Sequence, residues 1–154
     1  IIEKDIIKGM LYLEKAAEKG HEEAMLHFSY IGLEFAETKE EEMKIAKYIL
    51  ALAEKNNLEG IKLAAGIYGK GFGVKVDELK AFSFITRAAK LGDNYSQFYL
   101  GQIYKIGNYF IKPNADRAKY WIEQAAKNGS VQAQEELAKI KLNSKTNDNE
   151  FFIN

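Results

Sequence analysis

An eight-residue segment recurs four times along the chain at a nearly constant distance. The copies read LEKAAEKG (Leu13–Gly20), ILALAEKN (Ile49–Asn56), ITRAAKLG (Ile85–Gly92) and IEQAAKNG (Ile122–Gly129). Successive copies begin 36, 36 and 37 residues apart. A constant period of this length is typical of supersecondary units that stack on one another. Apolar residues between the copies fall at spacings of three and four, which is the period of helices with one buried face. The sequence therefore predicts an array of stacked helices.

Each copy lies in what we call an aromatic helix, because a bulky ring precedes a pair of small residues. The rings are Tyr12, Tyr48, Phe84 and Trp121. The pairs are Ala16-Ala17, Ala88-Ala89, Ala125-Ala126 and Leu52-Ala53, the last with leucine in place of the first small residue. Small residues let a neighbouring helix approach closely, and the ring is expected to fill the wider gap beside it. The helices are predicted to stop at Gly20, Asn56, Gly92 and Gly129, since Gly and Asn best tolerate the left-handed conformation that ends a helix.

A second helix, the companion helix, is predicted to begin four residues after each stop. Its first residues are Ala24, Gly60, Ser96 and Ala133. Five residues further on, each copy has a small residue, namely Ser29, Ala65, Gly101 and Ala138. Seven residues after the start, each copy has an isoleucine, namely Ile31, Ile67, Ile103 and Ile140. This invariance within the chain predicts that the four isoleucines lie in the core.

The glycine-rich joint Tyr68–Ala81, YGKGFGVKVDELKA, could in principle be a phosphate-binding loop or a turn between two helices. A phosphate loop needs a preceding strand and a helix N-terminus aimed at the ligand, and a P-loop also needs Lys-Ser or Lys-Thr. Here a predicted helix precedes the glycines, so we expect a helix-to-helix turn with positive φ at Gly71 or Gly73. Asp77 is then expected to cap the next helix. Asp5, Glu41 and Asn114 hold the same or nearly the same place in the other copies.

The spacing of these residues resembles Sel1-like repeats, which are relatives of tetratricopeptide repeats. The third repeat carries the fullest pattern: Tyr68, Gly71, Gly73, Asp77, Ala81, Phe84, Ala88, Ala89 and Gly92. The next repeat carries Ser96, Leu100, Gly101, Ile103, Tyr104 and Gly107. The resemblance covers about residues 5–141, although the joint after Gly32 lacks glycines and reads ETKEEE instead. It implies an all-α fold, a right-handed superhelix (α-solenoid) of stacked antiparallel helix pairs with about seven helices, whose companion helices line a concave face.

The same resemblance suggests how the chain is divided. Residues 1–142 are expected to form one repeat domain of about 3.5 repeats, followed by a polar tail, 143–154, with a hydrophobic end. Phe151, Phe152 and Ile153 are expected to cap the last helix or to lie in the groove. At the other end, four isoleucines lack an obvious partner, so we expect either that native residues precede them or that this end contacts something else. They are Ile1, Ile2, Ile6 and Ile7.

Composition excludes several function classes. Lys plus Arg and Asp plus Glu are 22 each, so the chain lacks the basic excess of a nucleic-acid-binding module. It has no cysteine and no apolar run of the length that a membrane helix needs. His21 and His27, the two histidines, do not have the spacing of a metal pair. We therefore expect no metal, no cofactor, no nucleic acid and no membrane insertion. Composition does not fix the compartment, which is the cytoplasm or, after processing, the periplasm or the exterior, and a monomer is the expected oligomeric state.

The companion helices are predicted to bind a partner through the residues that face away from the buried side of each helix. These are Leu26, His27, Tyr30, Glu34, Lys62, Leu63, Lys70, Phe98, Tyr99, Gln102 and Ile106. This face carries more aromatic and apolar residues than a face exposed only to solvent requires. Such residues supply most of the binding energy of interfaces. The acidic run 37–42 is an alternative docking site for a basic partner.

Three functions remain open on the sequence. Proteins of the resembled family usually act as scaffolds, adaptors, regulators or inhibitors of partner proteins. A non-catalytic interaction module is therefore the first hypothesis. A dedicated inhibitor, such as an immunity protein that blocks a secreted toxin or effector, is the second. An enzyme that acts on cell-wall sugars with a glutamate pair is the least expected, because no converging catalytic constellation is visible.

Overall fold

The computed structural model describes the backbone of residues 2–150 and the side chains of residues 8–140. These residues form α-helices and no strands, as the sequence predicts. In chain order the helices are α1 (Ile2–Glu18), α2 (Glu22–Phe35), α3 (Lys39–Glu54), α4 (Leu58–Lys70), α5 (Glu78–Lys90), α6 (Asn94–Ile106), α7 (Ala115–Lys127) and α8 (Val131–Glu150). The described residues thus hold eight helices where about seven were expected. Their contacts divide the chain into an N-terminal body, Ile1–Ile85, and a C-terminal body, Thr86–Asn154.

Aromatic and companion helices alternate, with α1, α3, α5 and α7 carrying the rings. The predicted helix stops are confirmed, because each stop residue has a positive φ. The values are 86° at Gly20, 61° at Asn56, 94° at Gly92 and 92° at Gly129. Glycine reaches this region without the steric cost that a Cβ brings, and asparagine tolerates it better than most residues.

The companion helices begin two residues earlier than the sequence predicts. Asn57 caps α4 by accepting a hydrogen bond from Gly60 N at 3.0 Å, and Asp93 caps α6 by accepting one from Ser96 N at 2.8 Å. The predicted start residues are therefore the third residues of their helices. They are small because the preceding aromatic helix is close: a Cβ on Gly60 would lie 2.9 Å from Ala53 N.

The N-terminal body is built around buried small and aromatic side chains. One core cluster joins Ala17, Ala24, Met25, Tyr48 and Leu52. The ring of Tyr48 meets Phe28 edge-on at 5.6 Å between centroids. The predicted role of the aromatic position is thus seen in α3, where the ring fills space between helices. In α5, the ring of Phe84 stacks on Tyr68 of α4 at 5.8 Å.

The C-terminal body has its own core cluster. Its buried members are Ile122, Ala125 and Ala133, with Phe98, Ala126 and Leu137 packed against them. Ala125 belongs to the predicted alanine pair of α7, and its partner Ala126 is half-buried. The ring of Trp121 is also half-buried and meets Tyr120 edge-on at 5.0 Å.

Two predicted core positions are exposed instead. Tyr12 is 62% exposed: in α3 and α5 the equivalent ring packs on the preceding companion helix, and among the described residues no helix precedes α1. Ile140 is 55% exposed, whereas its counterpart Ile67 is only 1% exposed. No aromatic helix follows α8 among the described residues, so nothing there covers this face. Ile31 and Ile103 are half-buried.

The joint Tyr68–Ala81 is a turn between two helices, as predicted. Gly71 and Gly73 both have positive φ, 78° and 63°. Asp77 caps the next helix by accepting a hydrogen bond from Lys80 N at 2.9 Å. Asn114 does the same for Arg117 N at 2.9 Å.

Glu41 lies at the start of α3 and accepts exposed backbone amide protons there, as its equivalence to Asp77 predicts, although the N-cap residue itself is Thr38. Thr38 caps α3, and Glu41 is the third residue of the helix, whose side chain accepts a hydrogen bond from Thr38 N at 3.1 Å. The two residues form a capping box, in which each side chain satisfies a backbone amide of the other. Asp5 lies within α1, and its side chain is outside the described residues.

Both chain ends hold predictions that stay open. α8 continues to Glu150, through much of the segment expected to be a polar linker. Contacts of Phe151, Phe152 and Ile153 lie outside the described residues, as do the side chains of the N-terminal isoleucines. The division between a repeat domain and a tail at residue 142 remains a prediction.

The alanine pair of α5 offers a test of tight packing. Ala88 and Ala89 are 0% and 1% exposed. We expect Ala89→Leu to lower the free energy of unfolding by about 1–3 kcal/mol, because extra methylenes must displace packed neighbours. Urea denaturation followed by circular dichroism measures the change. An unchanged midpoint would show that this position is not tightly packed.

Candidate partner-binding surface

The predicted binding residues lie on three companion helices. Those of α2 and α4 belong to the N-terminal body, and those of α6 belong to the C-terminal body. Exposed members in the N-terminal body are His27, Tyr30, Glu34 and Lys70. Exposed members in the C-terminal body are Tyr99 and Ile106. The remaining five are half-buried.

A polar cluster joins the two companion helices of the N-terminal body. Tyr30 donates a hydrogen bond from its hydroxyl to Glu59 Oε2 at 2.9 Å. Lys62 donates to the other oxygen of the same carboxylate at 2.8 Å. Partial burial, together with the hydrogen bond to Glu59, raises the pKa of Tyr30. The tyrosine ring is thus held in one position while part of it remains open to a partner.

Two of the predicted binding residues pack against the core instead. Leu26 packs against the N-terminal core cluster, and Phe98 packs against the C-terminal one. Both lie two residues after the predicted helix start, a position that the helical period assigned to the open face. The helices actually present this position to a neighbour, so replacing Phe98 would disturb folding as well as binding.

Two tyrosines form the most exposed aromatic surface of α6. The rings of Tyr95 and Tyr99 are parallel within 1°, with centroids 6.5 Å apart, and they are 66% and 47% exposed. Spacing of four residues puts them on one helix face. Sequence reasoning missed Tyr95 because it precedes the predicted helix start, although its spacing from Tyr99 was a usable signal.

A carboxylate of α8 holds the polar residues at the other end of α6. Glu136 accepts hydrogen bonds from Gln102 Nε2 at 2.6 Å and from Lys105 Nζ at 2.7 Å. Gln102 is therefore half-buried and already engaged. Sequence reasoning found neither Glu136 nor Glu59, since each lies on a helix that is not adjacent in sequence to its partner.

The acidic run 37–42 is largely used within the protein. Hydrogen bonds from Glu37 N and Thr38 N lower the pKa of Glu41. Glu42 forms an ion pair with Lys39 at 2.6 Å, which lowers its pKa, and it also accepts a hydrogen bond from Gly73 N at 3.3 Å. Because Glu41 and Glu42 are engaged in these contacts, the run serves mainly to start α3 and offers few free carboxylates to a basic partner.

The described residues contain no group of three or more His, Cys, Asp or Glu that could hold a metal ion. Within the same residues, every helix is too short or too polar to cross a membrane. His21 stands at the N-cap of α2 without capping it through its side chain, and it is exposed.

Comparison with known proteins identifies the repeat. The sequence profile of the family described as Sel1 repeat matches residues 1–21, 61–93 and 94–130, which together make up more than half of the chain. The chain belongs to the Sel1 repeat family. Residues 22–60 and 131–154 lie outside the matched segments.

Two solved Sel1-type structures share the fold. A Sel1 repeat protein from Oxalobacter formigenes superposes with a TM-score of 0.72 at 30% identity, covering 89% of this chain and 56% of its own. Cysteine rich protein B from Helicobacter pylori gives 0.62 at 25% identity, covering 88% of this chain and 96% of its own. The predicted fold class, an all-α solenoid of antiparallel helix pairs, is thereby confirmed.

Two curated relatives are similar in sequence. Chitin synthase regulatory factor 4 from Schizosaccharomyces pombe is 33% identical over 95 residues, 61% of this chain. Sel1-repeat-containing protein YjcO from Escherichia coli is 24% identical over 142 residues, 88% of this chain. The chain spans 14% of the length of the first relative and 62% of the second.

Proposed function

We propose that the chain is a non-catalytic interaction module that binds a partner protein or peptide through its companion helices, as an adaptor, scaffold or regulator. The observation that carries the proposal is the pair of exposed parallel rings of Tyr95 and Tyr99 on α6. Tyrosine is enriched among residues that dominate binding energy, because a large ring is combined with a polar end. The relative named as a chitin synthase regulatory factor supports the regulatory form of this role.

The N-terminal body adds a second surface of the same kind. Tyr30 is held by Glu59 and remains 43% exposed, with His27 on the same helix. A side chain that is already fixed loses less conformational entropy on binding. This surface and the α6 pair are each proposed as a contact for the partner.

We expect the double change Tyr95→Ala and Tyr99→Ala to weaken partner binding about 30-fold or more, the effect of losing one strong anchor. The measurement is affinity capture from native cell extract, followed by titration of the captured protein. Tyr109→Ala is the matched control, because Tyr109 is fully exposed in the loop between α6 and α7. Circular dichroism should show equal helix content in all three proteins.

The pattern of capture separates the remaining alternatives. One stoichiometric protein, lost in the double variant and kept in the control, is what a dedicated inhibitor would give. Several proteins lost together are what an adaptor would give. If the double variant captures the same proteins with the same affinity as the control, α6 is not the binding surface.

A further inference from the structure

Two companion helices place a tyrosine under a basic side chain of the next aromatic helix. Lys80 Nζ lies 4.9 Å from the ring centroid of Tyr68, and Arg117 Cζ lies 5.4 Å from that of Tyr104. In both repeats the residue after the cation is a buried alanine, which leaves room for the ring. These repeats therefore fill the space between their two helices with the chain's own phenol group.

The α2–α3 repeat keeps the cation and loses the ring. Lys44 corresponds to Lys80 and Arg117, but glycine, Gly32, stands at the tyrosine position and Ile45 stands at the alanine position. Ile45 is buried, and a Cβ built on Gly32 would collide with its side chain. Large and small residues have exchanged sides, so this repeat cannot hold a tyrosine of its own.

An open pocket of about 330 Å³ lies beside the exchanged pair, with Gly32 and Ile45 in its lining. Apolar side chains from α1, α2 and α3 line it, among them Met10, Phe28, Ile31 and Ile45. A cavity of about 150 Å³ is enough to hold benzene in another protein, so one ring fits here. Lys44 and Glu14 form an ion pair in the pocket wall.

We propose that this pocket binds an aromatic side chain of a partner protein, which enters in place of the missing tyrosine. In this complex Lys44 lies against the partner's ring, as Lys80 and Arg117 lie against Tyr68 and Tyr104 in the other two repeats. A cation is attracted to the face of a π-system. Carboxylates of Glu14 and Glu41 in the wall disfavour an anionic group. The inference goes beyond the proposed function, because no residue of the pocket belongs to the predicted companion-helix set.

The first test uses p-cresol, the side-chain analogue of tyrosine, as a probe. Titration should give saturable chemical-shift changes at the methyl groups of Met10, Ile31 and Ile45, with a Kd of about 1 mM for so small a ligand. The comparison probe is 4-methylcyclohexanol, which has a similar size and no π face. We expect it to bind about two- to five-fold more weakly, the range for a partly exposed cation–π contact.

Variants test the cation separately from the shape. Lys44→Gln should reduce p-cresol affinity about two- to five-fold and leave 4-methylcyclohexanol affinity unchanged. Lys47→Gln is the matched control on the same helix, because Lys47 is exposed and outside the pocket lining. If both probes bind equally and Lys44→Gln weakens neither, the pocket does not select aromatic groups and the proposal is overturned.

A double variant tests whether the pocket replaces a tyrosine. Gly32→Tyr with Ile45→Ala rebuilds the sister arrangement, and p-cresol should then cause no shift at Met10 or Ile31. Helix content and cooperative thermal unfolding are checked first; if this variant does not fold, the probe pair and Lys44→Gln decide. Saturable p-cresol binding by a folded double variant, or no saturable binding by the wild type, contradicts the inference. Either result leaves the capture experiment on Tyr95 and Tyr99 unaffected.

Discussion

Gly73→Ala is expected to lower the free energy of unfolding by about 2–4 kcal/mol, combining left-handed strain with a steric collision. Gly73 has a φ of 63°, and a Cβ placed on it would overlap the carbonyl of Glu42 and lie 2.8 Å from Ala46 Cβ. The carbonyl belongs to the backbone of α3, which cannot turn aside as a flexible side chain can. Urea denaturation followed by circular dichroism measures the loss.

Gly69→Ala is the matched control in the same sequence stretch. Gly69 lies inside α4, and nothing is within 4 Å of a Cβ built there. Alanine should therefore stabilise the protein by about 0.5–1 kcal/mol, since it restricts the unfolded chain and suits a helix. If Gly73→Ala and Gly69→Ala change the free energy of unfolding equally, Gly73 is not packed against α3.

Leu52→Ala is expected to cost about 2–5 kcal/mol, the range for removing a fully buried leucine side chain. Leu52 is 0% exposed and lies in the cluster with Ala17, Met25 and Tyr48. Its backbone also lies close to the first turn of α4, since a Cβ on Gly60 would lie 2.9 Å from Leu52 C. The loss should appear as a lower denaturation midpoint.

The comparison variant is Leu79→Ala in α5. Leu79 is 64% exposed, so the same chemical change should alter stability by no more than about 0.5 kcal/mol. A loss at Leu52 no larger than that at Leu79 would contradict the placement of Leu52 in the core. The pair thus tests burial at constant side-chain chemistry.

Features fixed by local backbone chemistry could be predicted from the sequence. The helix stops at Gly20, Asn56, Gly92 and Gly129 follow from residues that tolerate positive φ, and the cap at Asp77 follows from a short carboxylate before a helix. Those effects act within a few residues, so spacing alone is sufficient. The family and the helix-pair order followed from the same regular spacing.

Features that depend on a neighbouring helix could not be predicted in the same way. The repeat pattern treats Ile140 and Ile67 alike, yet only Ile67 has a following aromatic helix among the described residues. Phe98 faces the core because of how its helix is rotated against α7 and α8, which the helical period does not reveal. Contacts such as those of Glu59 and Glu136 join residues about 30 positions apart.

The exchange of large and small residues at Gly32 and Ile45 also constrains how this repeat can diverge from its sisters. If position 32 changes to tyrosine first, the new side chain collides with Ile45 and the protein is destabilised. The change of position 45 to alanine must therefore come first, and it enlarges the neighbouring pocket until tyrosine is present at position 32. The two sites therefore change in a preferred order, and a substitution tolerated in one repeat of this chain is not automatically tolerated at the same position in another.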